Sequence, residues 1–176
     1  MGNRLTDSEI IQGPRANPIS QLSEMNMLME IFRLNYLVSP KDSLDFGNNA
    51  PTALLVQGFG CKKGVMSILG NLLKNNMNVV YAPDFPFMNT CSITEAATIL
   101  EPTIRKVMEQ EKNGDVMLIG HSNGGLIALL ALHMATKLKV HNVVTMGTPH
   151  KGAPQAEKMA HLSSSCREIN AEGGFL

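Results

Sequence analysis

The stretch Val116-Met-Leu-Ile-Gly-His-Ser-Asn-Gly-Gly-Leu-Ile-Ala128 decides how this chain reads, because it sets a serine among glycines where an apolar strand turns into an apolar helix. Its centre, Gly120-His121-Ser122-Asn123-Gly124, has the form G-x-S-x-G. A serine on such a turn takes a strained backbone conformation that exposes its hydroxyl, so its neighbours need almost no side chain. Ser122 is therefore the candidate nucleophile. Five residues with two free positions occur by chance, and the flanks decide the matter. Asp115 to Ile119 reads as a short buried parallel strand, and Leu126 to Met134 is apolar on nearly every face, as a helix beneath a sheet is.

Working outward, Ala53-Leu-Leu-Val-Gln-Gly-Phe-Gly60 is a second buried strand that ends in a glycine-rich turn. A strand, elbow and helix architecture puts its oxyanion loop there. The pattern alternates from that point: strands near 52–57, 78–82, 115–120 and 141–146, helices near 64–75, 93–112 and 124–137. Such alternation indicates a parallel sheet with helices on both faces, an α/β fold. Ser92 and Glu95 form a capping box for the middle helix, and Ile93, Ala96, Ala97, Leu100, Ile104, Val107 and Met108 follow its 3.6-residue period. Pro102 is expected to kink it.

Three motifs together resemble the core of an α/β-hydrolase of the lipase and esterase branch, triacylglycerol lipase type, over residues 52 to about 155. They are Gln57-Gly58-Phe59-Gly60, the elbow Gly120 to Gly124 with Gly125 behind it, and Val143-Val-Thr-Met-Gly-Thr-Pro-His-Lys-Gly152. Lipases of this kind usually carry His-Gly where this chain has Gln57-Gly58, a departure that is tolerable because a glutamine can still brace the loop by hydrogen bonds. The resemblance implies hydrolysis of carboxylic esters, lipophilic acyl esters foremost, through an acyl-enzyme on Ser122. Attack on the carbonyl makes a tetrahedral oxyanion, for which the backbone N–H groups of Phe59 and Asn123 are the expected donors. Phe85, Phe87 and Met88 follow the second strand at the carboxyl edge of the sheet, where α/β folds bind ligands. They are candidates for an acyl-chain wall, with an apolar loop packed on its neighbours as the equal alternative.

The general base is harder to find. In this fold the chain order is Ser, then Asp or Glu, then His, on loops after later strands. Only 26 residues follow His150. Two further strand-helix units need roughly 50 or more, at about 30 per βαβ unit. The chain thus reads as an α/β-hydrolase-like fold incomplete at its C-terminal side, with a polar arm, helix and linker over 1–50 and a partial core over 51–176. His121 precedes the serine and faces away from it, His133 lies within a helix, and His141 opens a strand at the wrong end. His150 sits at the correct edge, but in the lipases it resembles that histidine is not the base. Glu157 and His161 are four apart and would pair on one helical face, although such pairs are usually solvated surface. A non-catalytic, hydrolase-like binding protein, or an inactive fragment lacking the triad acid and histidine, is the alternative reading. The strand at 141–146 is then an open edge and self-association follows, unless residues 153–176 fold back over it.

Composition bounds the remaining classes. With 176 residues, 44% of them hydrophobic, one domain with a sizeable core is expected. Fifteen basic residues balance fifteen acidic ones, which leaves no electrostatic footprint for nucleic acid or an anionic membrane. Cys61, Cys91 and Cys166 are odd in number and lack metal-ligand spacing, so a reducing compartment and no metal or other cofactor are expected. The sequence has no apolar run long enough for a secretory signal or a membrane span, and the expected location is cytoplasmic. Met1-Gly2 with Thr6 fits the loose N-myristoylation pattern, but an ordinary start codon is the preferred reading. Asn17-Pro18 caps a first helix, whose Leu22, Met25, Met29, Phe32 and Tyr36 recur at helical spacing; a core-facing stripe is favoured over a lipid-facing one.

Overall fold

Four short runs rich in Val and Leu form the strands: β1 (Thr52–Val56), β2 (Asn78–Tyr81), β3 (Val116–His121) and β4 (Asn142–Met146). In the computed structural model, which describes residues 18–45, 49–111, 115–135, 140–161 and 163–169, they make one sheet of order β2-β1-β3-β4. Every pairing is parallel; Val56 lies opposite Gly120, and His121 opposite Met146. The expected sheet is therefore observed, and the carboxyl ends of β1, β3 and β4 lie side by side. A strand covered on both faces has no polar alternation, and β1 accordingly buries all five of its residues.

The first helix and the helices expected near 64–75, 93–112 and 124–137 appear as α1 (Pro18–Tyr36), a 3₁₀ turn Lys63–Met66 leading into α2 (Ser67–Leu73), α4 (Ile93–Gln110) and α5 (Asn123–Met134); three short elements, α3 (Pro86–Asn89), α6 (Pro154–Met159) and α7 (Ser164–Glu168), add to those expected. Helix α4 starts where the capping signal put it, with the Glu95 N–H donating to Ser92 Oγ at 3.0 Å, and it runs on through Pro102. One face of the sheet, with Leu54, Val56 and Leu118, packs on Ile93, Leu100 and Ile104 of α4 and Leu126 and Ile127 of α5. Burying each of these aliphatic side chains is worth about 1.5–3 kcal/mol. Ala53, Leu55, Val79 and Ile119 face the other way, onto Met66, Leu69 and Leu73.

Helix α1 departs from expectation. Met29, Phe32 and Tyr36 are exposed by 66%, 59% and 52%, so the stripe does not face the core; the side chains of Leu22 and Met25 lie outside the described residues. The helix is held instead by Leu34 and Asn35, which are buried against the 62–64 turn, where the Lys62 N–H donates to Asn35 Oδ1 at 2.8 Å. Gly64 has no room for a Cβ there, because the Leu34 carbonyl occupies the space. The 1–16 arm, Gly2 and the Asn17 cap also lie outside the described residues. No helix among those described is long and apolar enough to cross a membrane. On the sheet edges, β2 carries a bridge between Ser43 and Val79, whereas the outer side of β4 pairs with no strand among the described residues.

Candidate active site

Strand β3 ends and α5 begins at Ser122, which has φ 53° and ψ −129°. A non-glycine residue at positive φ is strained, and sharp strand-to-helix turns of this kind hold it by surrounding contacts. Those contacts are specific. The Ser122 N–H donates to the Met146 carbonyl at 2.8 Å, and its own carbonyl accepts from Thr148 Oγ1 at 2.8 Å and from the Gly125 N–H at 3.1 Å. The glycines are required by close approach. A Cβ on Gly120 would lie 2.5 Å from the Gly125 backbone, and one on Gly124 would lie 2.5 Å from the Gln57 carbonyl oxygen.

The Gln57-Gly58-Phe59-Gly60 turn leaves β1 at the same edge, and a Cβ on Gly58 would come within 3.0 Å of Ser122 Cβ. Gly60 completes the turn with φ 68°. Phe59, Ser122 and Asn123 line one cavity of about 190 Å³, together with Pro149, Ala153, Ala156, Met159, Cys166 and Ile169. The nucleophile and oxyanion candidates thus meet at a single, mainly apolar site. Beneath it runs a buried polar chain: Gln57 Nε2 donates to the Pro83 carbonyl at 2.8 Å, Asn89 Nδ2 to the Gln57 carbonyl at 2.9 Å, and Asn123 Nδ2 to Ser165 Oγ at 2.8 Å. Gln57, in place of the usual histidine, braces the turn by its side-chain amide.

Phe85, Phe87 and Met88 are not among the residues that line the Ser122 cavity. Phe85 is 4% exposed and belongs to the core, Phe87 is 85% exposed, and Met88 Sδ accepts from the Tyr36 hydroxyl at 3.3 Å. The backbone is left-handed at Phe87, Met88 and Asn89, with φ 50°, 58° and 62°, and it leaves Phe87 in solvent while Asn89 is buried. Apart from Phe59, the apolar residues lining the cavity are Pro149, Ala153, Ala156, Met159, Cys166 and Ile169, in and beside α6 and α7. Their apolar residues are few, and the sequence reading did not single them out as a lining. Helix α7 and its cap dock at the start of α4, with the Ile93 N–H donating to Glu168 Oε2 at 2.5 Å and Ser163 Oγ to the Thr90 carbonyl at 2.8 Å.

None of the five histidines lines the Ser122 cavity. His121 lines a separate apolar groove with Leu69, Leu72 and Met146, as strand alternation requires. His141 lies 3.5 Å from Asp115 at the amino end of the sheet, His133 is exposed on α5, and His150 Nε2 lies 3.0 Å from Thr145 Oγ1. Glu157 and His161 are both exposed. Burial pushes the Cys61 thiol, just past the oxyanion turn, above its ordinary pKa. No group of three or more His, Cys, Asp or Glu among the described residues is arranged to hold a metal ion.

A family model for the PGAP1-like alpha/beta domain matches residues 77–170, more than half of the chain and both sides of the elbow. The chain belongs to the PGAP1-like alpha/beta domain family. No curated protein sequence matches it. Among solved structures, this PGAP1-like domain is similar to the Bacillus licheniformis lipase BlEst2 in mature form, with TM-score 0.60 and 18% identity over 73% of this chain and 58% of that one. Aspergillus fumigatus lipase B gives TM-score 0.55 and 19% identity, covering 63% and 27%. A lipase-esterase related protein from Clostridium acetobutylicum gives 0.53 and 18%, covering 73% and 56%. At these identities the shared property is the α/β-hydrolase fold. The PGAP1-like domain spans less than two thirds of the length of each of these structures.

Proposed function

We propose that the domain is a serine hydrolase of the lipase and esterase type, cleaving carboxylic esters with lipophilic acyl groups through Ser122. The observation that carries this reading is the strained Ser122, at φ 53°, opening onto an apolar cavity that also receives Phe59 and Asn123. In the reaction Ser122 Oγ bonds to the acyl carbon, the carbon–alkoxy bond breaks, and the serine proton leaves with the alcohol. Water then cleaves the acyl-serine, releasing the acid and restoring the hydroxyl. The backbone N–H groups of Phe59 and Asn123 are the proposed donors to the oxyanion, worth about 10²–10³ in rate per donor.

The proton needs a carrier, and an imidazole normally serves. With no histidine at the cavity, water must carry the proton from the serine to the departing alkoxide in this chain, and a low rate follows: losing the base costs about 10⁶ in turnover, while binding and the oxyanion hole leave a residual rate. The same absence favours a second reading, a hydrolase-like binding module that takes an acyl group without cleaving it. Hydrolysis of a short p-nitrophenyl ester by the chain and by Ser122→Ala separates the two. Slow release of nitrophenol that the substitution removes supports the hydrolase; release that is unchanged by it contradicts that reading. The outer side of β4, which pairs with no strand among the described residues and exposes Val144, further supports association between copies of the chain.

A further inference from the structure

Asn89 is fully buried, yet it belongs to neither the elbow nor the oxyanion turn. Its amide reaches both. Nδ2 donates one hydrogen to the Gln57 carbonyl at 2.9 Å and the other to Asn123 Oδ1 at 3.1 Å. We propose that Asn89 is a positioning residue that sets the distance between the two backbone donors of the oxyanion site. The proposal rests on the serine-hydrolase reading of Ser122.

Gln57 opens the turn that carries the Phe59 N–H, and Asn123 carries the other N–H; the two segments come from different strands and are tied through the one amide. An amide has two N–H groups, and both are used here, so its orientation is fixed: turning it over would aim its oxygen at two acceptors. An ionised Asp offers no donor, and Ser or Thr offers one. Asn89 Oδ1 has no hydrogen-bond partner among the described residues, so the side chain is held by its donors alone. The left-handed backbone at Phe87, Met88 and Asn89 is what turns this side chain inward while Phe87 faces solvent. Asparagine tolerates that region better than most residues. Asn123 is anchored from its other side by Ser165, so the tie runs from β1 through the elbow to α7.

The test uses the full chain with Asn89→Gly and Asn89→Asp. Glycine keeps the φ of 62° without strain and removes the donor, whereas aspartate keeps the shape and reverses the hydrogen-bonding sense. Amide hydrogen exchange should rise about five- to tenfold in segments 57–60 and 121–125 of Asn89→Gly, the scale of one lost hydrogen bond, with the centre of α4 unchanged. Phosphonylation of Ser122 by an alkyl fluorophosphonate should slow about ten- to a hundredfold in both variants. The loss should lie in the limiting rate and not in the half-saturating concentration. Faster exchange confined to 85–91, or a glycine variant that reacts at the parent rate, would overturn the proposal. If the parent chain itself is not phosphonylated at Ser122, the hydrolase reading fails and the exchange data alone decide whether Asn89 ties the two segments.

Discussion

Thr148 donates a 2.8 Å hydrogen bond from its hydroxyl to the backbone carbonyl of Ser122, so the loop after β4 holds the strained elbow from above. Gly125 completes the arrangement, since a Cβ there would collide with the Thr148 side chain. The third sequence motif, Val143 to Gly152, is thus part of the elbow's support and not only a neighbouring strand. Thr148→Val keeps the shape and removes the donor. It should destabilise the fold by about 0.5–1.5 kcal/mol in urea unfolding, and Thr148→Ser should recover most of the loss. Equal stability of the valine variant would show that the bond does not hold the elbow.

Two glycines near the site should respond differently to alanine. Gly124→Ala puts a methyl 2.5 Å from the Gln57 carbonyl, a backbone atom that cannot move alone, and overpacking of this kind costs about 1–3 kcal/mol or more. Gly60 has φ 68° but nothing within 4 Å of an added Cβ, so Gly60→Ala meets only the left-handed backbone penalty of about 1–2 kcal/mol. Urea unfolding of both variants should show Gly124→Ala losing the cooperative transition or the greater stability, with Gly60→Ala milder.

Much of this arrangement was legible in the sequence, for a physical reason. A strand buried on both faces must be apolar throughout, and a serine at positive φ beside a crossing strand must have glycine neighbours, so β1, β3, Gly120 and Gly124 announce themselves. The 85–89 loop does not: Phe85 and Phe87 look alike in sequence, and only the left-handed backbone sends one inward and the other to solvent. Helix α1 misleads for a related reason. Its stripe has the period of a buried face, but the docking contact is made by Leu34 and Asn35, outside that stripe, because Gly64 lets the chain approach there. The cavity wall is the least legible, since Ala156, Cys166 and Ile169 come from two short helices with little periodicity to read.

That wall makes a prediction about acyl length. Ala156 is 8% exposed and lines the cavity of about 190 Å³, so Ala156→Leu should fill part of it. Phosphonates with short alkyl chains should react nearly as before, while longer ones slow several-fold. A uniform loss across chain lengths would mean that the acyl group lies elsewhere.

The outer side of β4 should recruit other copies. Val144 is 40% exposed on a strand whose outer backbone pairs with no strand among the described residues. Sedimentation should show association that increases with concentration and weakens in Val144→Lys, because a charge on an edge strand opposes pairing. A monomer at all concentrations would contradict the proposal.

Ser122 as the nucleophile is the proposal on which the esterase chemistry depends most. Treating the chain with an excess of a short-chain fluorophosphonate, followed by peptide mapping, tests this directly. The expected result is one adduct per chain, located on Ser122, absent from Ser122→Ala, and forming faster than on a free serine peptide because of the strained elbow and the proposed Phe59 and Asn123 donors. An adduct elsewhere, or labelling of Ser122 no faster than of the peptide, would contradict it.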